Sequence, residues 1–469
     1  MIPLRLSEVV AATGGQLLHG SPELCFTGCT TDSRKVKPGE LYIPMIGEHL
    51  DGNDFIGDAL DRGAAGCLIS DLSKIPLHRD LEAVGLVYTG DTVAALQQLA
   101  SFVLKKKGIP VVAVTGSTGK TSTKEMLASV LGTQYSVLRT EGNYNNHIGL
   151  PLTCLRLEVH HEIAVLEMGM NHAGEIAVLA EIARPVCGVI TNIGLSHIEN
   201  LGSQEAILSA KLEIASHMTA EHTLIVSGDD PRLASLSGLP CRAVTVGLGQ
   251  ENLCRLSDSQ LDGLKGSRFT LAWPERLERP LECHLTVPGL HNIRNAGLAA
   301  AVGLHFGITP ENVARGLREC RNTGMRLNLI ETGRGVTLIN DAYNASPDSM
   351  EAALGVLAMA PEGRRAAVVS DMLELGAESE AGHRRVGEAA ARCGVDGLFG
   401  TGPLSRWTVE AADAAGLGPE KARHFETKEA LIQALLSWAR PGDTLLVKGS
   451  RGMRMEQVVE ALQEGFSHE

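Results

Sequence analysis

The chain alternates short apolar runs with longer amphipathic stretches. Residues 163–166, 186–191 and 224–226 are short runs rich in Val and Ile, a pattern typical of buried strands. Residues 91–107 instead place apolar side chains at helical spacing and end shortly before Pro110. Because strand and helix patterns alternate in this way, we expect an α/β fold with largely parallel sheets and a Rossmann-like architecture.

The alternation restarts along the sequence, which divides the chain into three units. Residues 1–86 have β-type runs of their own, residues 87–320 contain a doubly wound pattern, and strand and helix patterns begin again in residues 321–469. A length of 469 residues also exceeds what one hydrophobic core usually supports. We therefore expect an N-terminal α/β domain, a central doubly wound domain and a C-terminal Rossmann-like domain with these bounds.

A turn rich in glycine and threonine, VVAVTGSTGKTSTK at residues 111–124, joins a β-type run to a helix-type run. Backbone N–H groups of such a turn can surround a polyphosphate, the Lys120 ammonium can reach the β and γ oxygens, and the Thr121 hydroxyl can bind Mg²⁺. Val114 stands where the longer form of the motif has glycine, so this is the shorter TGxxGKT form. The alternative is an ordinary strand-to-helix turn. The turn predicts a P-loop-type nucleoside triphosphate site formed by Gly116, Ser117, Thr118, Gly119, Lys120, Thr121 and Ser122.

Composition limits the partners that we expect. A net charge of -13 and a pI near 5.7 disfavour a nucleic-acid partner, because contacts to the phosphate backbone need a basic face. Ten cysteines without a C-x-x-C pair indicate buried free thiols in a reducing compartment rather than a zinc site or a disulfide framework. The N-terminus lacks the apolar core of a signal peptide, and no stretch approaches the ~20 apolar residues of a membrane span. We expect a soluble, cytoplasmic monomer with no nucleic-acid or membrane partner.

Three side chains that follow this turn are candidates for cation binding or for ordinary structural roles. Glu167 ends the run IAVLE, where its carboxylate can hold Mg²⁺ beside Thr121, although a capping or solvated carboxylate fits equally well. His197 follows the next apolar run, and a lone histidine is more often structural than a metal ligand. Lys211 lies on a helix predicted from Gln204 onward, and its residue type alone predicts a solvated position.

Two amides and two polar segments are candidates for ligand contacts. Asn292 and Asn295 lie three residues apart at a predicted helix start, where they can face an adenine edge or simply cap the helix. The segments 341–344 and 448–451 each follow a β-type run. Such positions are expected for ligand contacts at a cleft between domains.

Ten motif-like segments are spread over nearly the whole chain. In chain order they are TGSTGKTSTKEM, TEGNYNNHIGLPLT, LEMGMNHAGEI, TNIGLSHIENLGS, SAKLEI, HNIRNAGLAA, GMRL, NDAYNASPDSM, SDMLELGAESEAGH and VKGSRGMRMEQVV. Their order and spacing resemble the Mur ligases of bacterial peptidoglycan synthesis. The GNYNN, DAYNASP and DMLELG segments are most similar to the members that add D-alanyl-D-alanine to UDP-N-acetylmuramoyl-tripeptide. The D-N-P-R-type segment usual in the members that add the third peptide residue is absent.

The resemblance implies an ATP-dependent amide ligase, in which a carboxylate is phosphorylated to an acyl phosphate and then attacked by an amine. It implies that Thr121 and Glu167 hold one Mg²⁺ and that Lys120 neutralises the β and γ oxygens. It further implies that His197 and Lys211 serve a second cation. Because an ammonium group cannot bind a cation, Lys211 is expected to carry a carbamate derived from CO₂.

Roles for the domains and for further residues follow from the same resemblance. The N-terminal domain is expected to bind the UDP-sugar, the central domain ATP, and the C-terminal domain the incoming amine. Further ATP contacts, some formed only on domain closure, are implied at Asn292, Asn295, Arg326 and Asp341. Substrate contacts are implied at Ser33, Arg34, Asn145, Asn146, Tyr343, Asn344, Lys448 and Ser450.

Small departures from the family pattern leave three alternatives open. Ser370 stands where glycine is common, and Ser196 and Ile198 flank His197 in place of alanine and leucine, but no proposed cation ligand is changed. The alternatives are a Mur ligase that adds the third peptide residue, a folylpolyglutamate synthetase, and a nucleotide-binding relative without catalysis. The UDP-sugar-type N-terminal unit disfavours the folate enzyme, which generally begins with the nucleotide domain.

Overall fold

A computed structural model of the chain describes residues 1–76, 81–321, 324–361 and 363–467. Its strands form three larger sheets, one in each successive part of the chain, and helices lie between the strands. The expected three-unit α/β fold is confirmed, and most neighbouring strands are parallel. Among the described residues, no helix is both long and apolar enough to cross a bilayer.

The N-terminal unit is built on a small mixed sheet. Its elements are β1 (Leu4–Arg5), α1 (Leu6–Thr13), β2 (Gln16–His19), β3 (Cys25–Phe26), β4 (Gly28–Thr30), β5 (Glu40–Tyr42), α2 (Ile56–Asp61), β6 (Gly66–Ile69), β7 (Gly85–Tyr88) and α3 (Thr92–Lys107). Five strands lie in the order β2-β7-β6-β5-β4, with only β2 antiparallel to its neighbour. The two short strands β1 and β3 pair separately.

Helix α3 connects this unit to the next. Asp91 caps its start by accepting two backbone N–H bonds of 2.9 and 3.0 Å, and Gly108 ends it with a φ of 71°. Its buried residues Leu96 and Leu99 belong to one apolar core that runs through both units. The first two units therefore pack as neighbours over a common core.

The central unit contains a nine-stranded sheet. Its elements are β8 (Val111–Thr115), α4 (Lys120–Leu131), β9 (Val137–Arg139), α5 (Gly149–Cys154), β10 (Ile163–Glu167), α6 (Glu175–Ala183), β11 (Cys187–Ile190), α7 (Ile198–Leu201), α8 (Gln204–Leu212), β12 (Thr223–Ser227), α9 (Pro231–Ala234), β13 (Arg242–Gly247), β14 (Cys254–Leu261), β15 (Ser267–Ala272), β16 (Leu281–Leu285), α10 (Leu290–His305) and α11 (Pro310–Glu319). The order is β16-β15-β14-β13-β12-β11-β8-β10-β9, and only β15 and β16 add antiparallel pairs. Strand β8 lies between β10 and β11, so the loops that follow these three strands meet at one edge.

The C-terminal unit has a six-stranded sheet. Its elements are β17 (Asn328–Glu331), β18 (Thr337–Asp341), α12 (Pro347–Ala358), β19 (Arg365–Ser370), α13 (Ser379–Arg392), β20 (Gly397–Thr401), α14 (Ser405–Ala412), β21 (Ala422–Phe425), α15 (Lys428–Trp438), β22 (Thr444–Lys448) and α16 (Glu456–Gly465). The order is β17-β18-β22-β19-β20-β21, and only β17 runs antiparallel. Apolar clusters cover both faces of this sheet.

Two leucines of the central unit pack into the core of the C-terminal unit. Leu195 follows β11, and Leu264 lies in a 3-10 turn between β14 and β15. Leu264 belongs to the apolar cluster formed by α12, α13 and the sheet of the C-terminal unit, and the partly buried Leu195 packs against that cluster. This contact brings the loops that follow β8, β10 and β11 opposite the carboxyl ends of β18 and β22.

The cysteines are all unpaired, as their spacing predicts. Seven of the ten are buried, and these are Cys67, Cys154, Cys187, Cys241, Cys254, Cys283 and Cys320. Burial raises the pKa of Cys67 and Cys154 well above the ordinary thiol range. These thiols are therefore inert core side chains.

Candidate active site

The loop between β8 and α4 has the backbone conformation that its glycines allow. Gly116 has a φ of +148° and Gly119 a φ of +78°. A Cβ atom added to Gly116 would lie 1.8 Å from Thr191 Oγ1, so no other residue fits there. The loop therefore lies directly against the end of β11, and its helix α4 begins at Lys120.

Residues that follow β11 hold this loop by hydrogen bonds. The Ser117 backbone N–H donates to Asn192 O at 3.0 Å, and the Thr118 N–H donates to Asn192 Oδ1 at 3.0 Å. The Ser117 hydroxyl accepts a bond of 2.8 Å from the Gly194 N–H. These hydrogen bonds from protein groups fix the shape of the loop.

The lysine of the loop is folded back onto the loop itself. Lys120 Nζ donates to Gly116 O at 2.7 Å and lies 3.3 Å from Ser117 O. Burial lowers the pKa of Lys120, the charge of Arg326 acts in the same direction, and Glu167 opposes both. The ammonium group thus lies among backbone oxygens and one carboxylate, which a phosphate group can replace.

A threonine, a glutamate and an asparagine meet beside the loop. Thr121 Oγ1 donates to Glu167 Oε2 at 2.9 Å, and Asn145 Nδ2 donates to Glu167 Oε1 at 2.7 Å. Glu167 is only 2 % exposed, so it is neither the solvated carboxylate nor the helix cap that its sequence position also allowed. An exchangeable hydroxyl and a buried carboxylate are the oxygen donors that suit Mg²⁺.

Few protein side chains beside this loop could bind a metal ion. In the part of the chain that the structure describes, no group of three or more His, Cys, Asp or Glu side chains could hold a metal ion. Mg²⁺ is usually bound through one or two carboxylates together with substrate phosphates and water. The pair of Thr121 and Glu167 beside a phosphate loop fits this mode of binding.

Lys211 is a buried residue, contrary to the solvated position that its residue type predicts. It lies on the inner face of α8, 1 % exposed, with Ile207 and Ala210 as buried neighbours along the helix. Burial lowers the pKa of Lys211 well below its ordinary value, and the charge of Lys120 adds to this effect. The prediction was wrong because it rested on the residue type alone, whereas Lys211 follows the buried Ile207 by four residues and so lies on the same helix face.

His197 lies in a strained backbone position at the junction of two units. It has a φ of 64° and precedes the short helix α7. His197 Nδ1 lies 2.7 Å from Glu374 Oε2, which belongs to the C-terminal unit. This close contact with His197 holds the pKa of Glu374 below its ordinary value. If Nδ1 donates to the carboxylate, Nε2 keeps its lone pair for a ligand.

The start of α10 packs directly on the phosphate loop. Asn295 Oδ1 lies 2.8 Å from where a Cβ atom of Gly119 would be. Asn292 Nδ2 donates to Pro288 O at 2.8 Å, and Asn295 Nδ2 lies 3.4 Å from Asn292 Oδ1. Both amides are buried, so these asparagines lie at the loop rather than on a solvated helix start.

The C-terminal unit contributes a second group of charged residues. Lys448 Nζ donates to Asp341 Oδ2 at 2.6 Å and to Asn344 O at 2.9 Å. The guanidinium of Arg326 lies over the ring of Tyr343, 4.3 Å from its centre. These side chains come from the ends of β18 and β22 and from the segment before β17.

The two groups of residues face each other across one cavity of about 510 Å³. A cavity of this size suits a nucleotide or a ligand of similar size. The predicted residues that line it are Ser117, Thr118, Gly119, Lys120, Thr121, Ser122, Asn145, Asn146, Glu167, His197, Asn292, Asn295, Arg326, Asp341, Tyr343, Asn344 and Lys448. Gly116, Lys211 and Ser450 are predicted residues that do not line this cavity.

Comparisons with known proteins match nearly the whole chain. Three family models match in succession, the Mur ligase family catalytic domain over residues 26–115, the Mur ligase middle domain over 114–303, and the Mur ligase glutamate ligase domain over 325–451. The UDP-N-acetylmuramoyl-tripeptide–D-alanyl-D-alanine ligase of Bacillus subtilis is 43 % identical over 93 % of each chain. The chain belongs to the Mur ligase family.

Solved structures of Mur ligases agree with this assignment. MurF from Acinetobacter baumannii superposes with a TM-score of 0.88 at 29 % identity, over 98 % of this chain and 99 % of that one. MurF from Thermotoga maritima, solved in complex with ADP, superposes with a TM-score of 0.81 at 28 % identity, over 94 % and 97 % of the two chains.

Two predicted residues of this Mur ligase lie away from the cavity, in the N-terminal unit. Ser33 and Arg34 are in the 3-10 turn Ser33–Lys35, which Asp32 caps by accepting the Arg34 N–H at 3.1 Å. The Arg34 side chain is largely exposed and donates from Nε to Asp32 Oδ1 at 2.8 Å. That hydrogen bond lowers the pKa of Asp32 to about 2. The cavity described above does not include this turn.

The sequence motifs of this Mur ligase did not predict several residues that line the cavity. His291 and Arg294 line it beside the predicted asparagines of α10, and Asp348 lines it at the start of α12. Burial lowers the pKa of His291 to about 4. Helical spacing from Asn295 could have indicated His291, whereas nothing in the sequence links Glu374 to His197.

Proposed function

We propose that this Mur ligase uses ATP to join D-alanyl-D-alanine to UDP-N-acetylmuramoyl-tripeptide, forming ADP and phosphate. The observation that carries this proposal is the full-length likeness to ligases of that name, in a chain whose phosphate loop and C-terminal sheet edge face one cavity. A relative without catalysis would have no reason to keep the buried pair Thr121 and Glu167 together with the buried Lys211.

ATP is proposed to bind with its phosphates on the loop 116–122. The free N–H groups at the start of α4 and the helix dipole favour an anion there. Lys120 would leave the Gly116 carbonyl, 2.7 Å away, and bind the β and γ oxygens instead. Asn292 and Asn295 adjoin Gly119 and are assigned to the adenine side of the site.

Thr121 and Glu167 are proposed as the protein ligands of one Mg²⁺. When bound, Mg²⁺ would neutralise phosphate charge and so allow a carboxylate to approach the γ-phosphate. Binding requires Thr121 to give up its 2.9 Å hydrogen bond to Glu167. Asn145 would keep the Glu167 carboxylate in place through its 2.7 Å bond to the other oxygen.

Lys211 is proposed to react with CO₂ and form a carbamate. Its burial favours the neutral amine, which is the form that attacks CO₂ to give the carbamate and one released proton. The product is an anion with two oxygens, able to bind a hard cation together with His197. The carbamate would also place a negative charge near the ammonium of Lys120, which is favourable.

The C-terminal unit is proposed to complete the site. Arg326 lies near enough to Lys120 to lower its pKa, so its guanidinium can also contact a phosphate bound there. Asp341 is assigned to the ribose, and Tyr343, Asn344 and Lys448 to the substrates. Enclosure between the units would keep water from an acyl phosphate until the amine of D-alanyl-D-alanine attacks it.

The N-terminal unit is proposed to bind the UDP-sugar part of the acceptor through Ser33 and Arg34. Asn145 and Asn146 would lie between that part and the peptide carboxylate, since both line the cavity from the neighbouring segment. We propose that the enzyme works in the cytoplasm, where ATP is available.

The test is phosphate release from ATP and Mg²⁺ with UDP-N-acetylmuramoyl-tripeptide, measured with and without D-alanyl-D-alanine. We expect release that depends on the dipeptide and a product heavier by one D-alanyl-D-alanine unit. The Lys120→Ala variant serves as the control for contaminating ligases and should be inactive. Turnover only with a single amino acid and UDP-N-acetylmuramoyl-dipeptide would contradict the proposal.

A further inference from the structure

The contact between His197 and Glu374 joins two units through two strained residues. Each has a φ of 64°, a left-handed conformation that residues other than glycine seldom adopt. Such conformations persist only where the surroundings determine them, and they cluster at functional sites. Here the two strained residues touch each other, with His197 Nδ1 2.7 Å from Glu374 Oε2.

The backbone on both sides of this contact is also fixed. The Glu199 N–H lies 3.4 Å from Glu374 O, so α7 is joined to the segment of Glu374 by main-chain atoms as well. A Cβ atom added to Gly376 would lie 3.2 Å from the Glu199 Cα, which shows how closely the two segments approach. The backbone that carries Glu374 is therefore fixed relative to α7.

A carboxylate on one ring nitrogen determines what the other nitrogen can do. When Nδ1–H donates to a carboxylate, the Nε2 lone pair is free and the ring cannot turn without losing the bond. Histidine ligands of metal ions commonly have such a partner, which also makes the ring a better donor. The carboxylate that lies beside His197 Nδ1, 2.7 Å away, comes from another unit, whereas Thr121 and Glu167 lie together in the central unit.

We propose that Glu374 is a positioning residue that holds His197 ready to bind a divalent cation, so that the cation site at His197 is complete only when the C-terminal unit is docked. The inference rests on the proposed function, which assigns a second cation to His197 and Lys211. It follows that this cation and the docked arrangement stabilise each other, because the coupling of two equilibria is reciprocal.

The test is a titration with Mn²⁺, followed by electron paramagnetic resonance, in the presence of a non-hydrolysable ATP analogue. Two Mn²⁺ sites are expected in the unmodified enzyme. The Glu374→Ala variant should bind the weaker Mn²⁺ about 10- to 100-fold less tightly, the usual effect of removing such a partner, and the tighter one unchanged. Glu374→Gln should restore most of this affinity, because its amide oxygen can still accept the Nδ1–H bond.

Two controls separate this inference from the proposed function. The Glu378→Ala variant changes an exposed glutamate of the same segment and should bind both ions normally. The His197→Ala variant should lose the weaker site, and if it keeps both sites, the assignment of a cation to His197 is wrong. If His197→Ala loses that site while Glu374→Ala binds both ions as the unmodified enzyme does, the inference about Glu374 alone is wrong.

A second measurement follows the docking of the C-terminal unit. Small-angle X-ray scattering gives the radius of gyration with and without Mn²⁺ and the ATP analogue. We expect the ligands to reduce the radius less in Glu374→Ala than in Glu374→Gln. Equal reductions in the two variants would show that Glu374 does not couple the cation to docking.

Discussion

The two candidate cation positions of this Mur ligase are built differently. Thr121, Glu167 and Asn145 come from adjacent parts of the central unit, and the carboxylate is almost fully buried. His197 instead owes its partner to the C-terminal unit, and the side chains of His197 and Glu374 are 16 % and 51 % exposed. The first position is thus complete when one unit folds, whereas the second needs two units in contact.

This difference separates two kinds of effect in the enzyme. A change at Thr121 or Glu167 acts on a position that exists whatever the arrangement of the units. A change at His197 or at a residue of the C-terminal unit also acts on docking, and it should alter substrate dependence as well as turnover. Substitutions on the two sides of the cavity should therefore differ in how kcat and KM respond.

Among the residues assigned to the two cation positions, the largest effect is expected at Lys211. Lys211→Ala removes the proposed carbamate, so kcat should fall by about 10²- to 10³-fold, the usual result of losing one group that stabilises charge in the transition state. The dissociation constant of ATP should change little, because Lys211 does not line the cavity. Steady-state kinetics and calorimetry measure the two quantities, and a short carboxylate such as acetate should restore part of the rate. Unchanged turnover would contradict the carbamate.

A somewhat smaller effect is expected at Glu167. Glu167→Gln keeps the size and the bond to Asn145 but removes the charge, so kcat should fall about 10- to 100-fold. The loss should be greatest at low Mg²⁺ concentration, which a Mg²⁺ titration of the rate will show. Glu141→Gln, an exposed glutamate paired with Arg156, is the matched control and should leave the rate unchanged. A Mg²⁺ dependence equal to that of the unmodified enzyme would exclude Glu167 as a ligand.

Arg326 lies on the side of the cavity that the C-terminal unit contributes, and its substitution tests the role of that side. Arg326→Ala removes a charged contact from the C-terminal unit, and the KM of ATP should rise about 10-fold, the effect of one charge-assisted hydrogen bond. The Lys120 pKa should rise as well, since the charge of Arg326 lowers it. Initial rates at varied ATP concentration give the KM. A change confined to kcat would place Arg326 outside the nucleotide site.

The smallest effect is expected from His291 and concerns stability. Its pKa is about 4 in the folded chain and 6.5 ordinarily, so the unfolded chain takes up the proton first as the pH falls. The neutral His291 ring therefore makes its whole contribution to the free energy of unfolding above pH 6.5, and this contribution is lost as the pH falls toward 4. Between pH 7 and pH 5.5 this loss is about 1 kcal/mol. Urea unfolding at the two pH values should show a smaller difference for His291→Asn, and an equal difference would rule out this titration.

The sequence predicts one half of the site much better than the other. The TGSTGKT turn and the rule that ligands bind at strand ends place Lys120, Thr121 and Glu167 together, because β8 and β10 are neighbours in a parallel sheet. Lys211 was misjudged from its residue type alone, since burial depends on which elements cover α8. The partner of His197 could not be predicted, because that contact depends on how two separately folded sheets dock.

The antiparallel strands at the edge of the central sheet are also hard to predict from the pattern of apolar and polar residues. Strand β14 alternates only in part, with exposed polar residues over its second half, so it lacks the apolar run by which β10 and β11 are recognised. Its pairing with β15 also contains an irregularity between Ser257 and Gln260. Such strands are specified by cross-strand partners rather than by their own composition.

The contact of Leu195 and Leu264 with the C-terminal core favours the docked arrangement of the enzyme. Leu195 is only partly covered, so the two side chains together contribute about 2–4 kcal/mol. These two side chains alone therefore favour the docked over the undocked arrangement by a factor of roughly 30 to 1,000. A ligand admitted only by undocked molecules would bind with an apparent affinity lower by the same factor. The conformational equilibrium, as much as the fit of the cavity, would then determine the potency of an inhibitor.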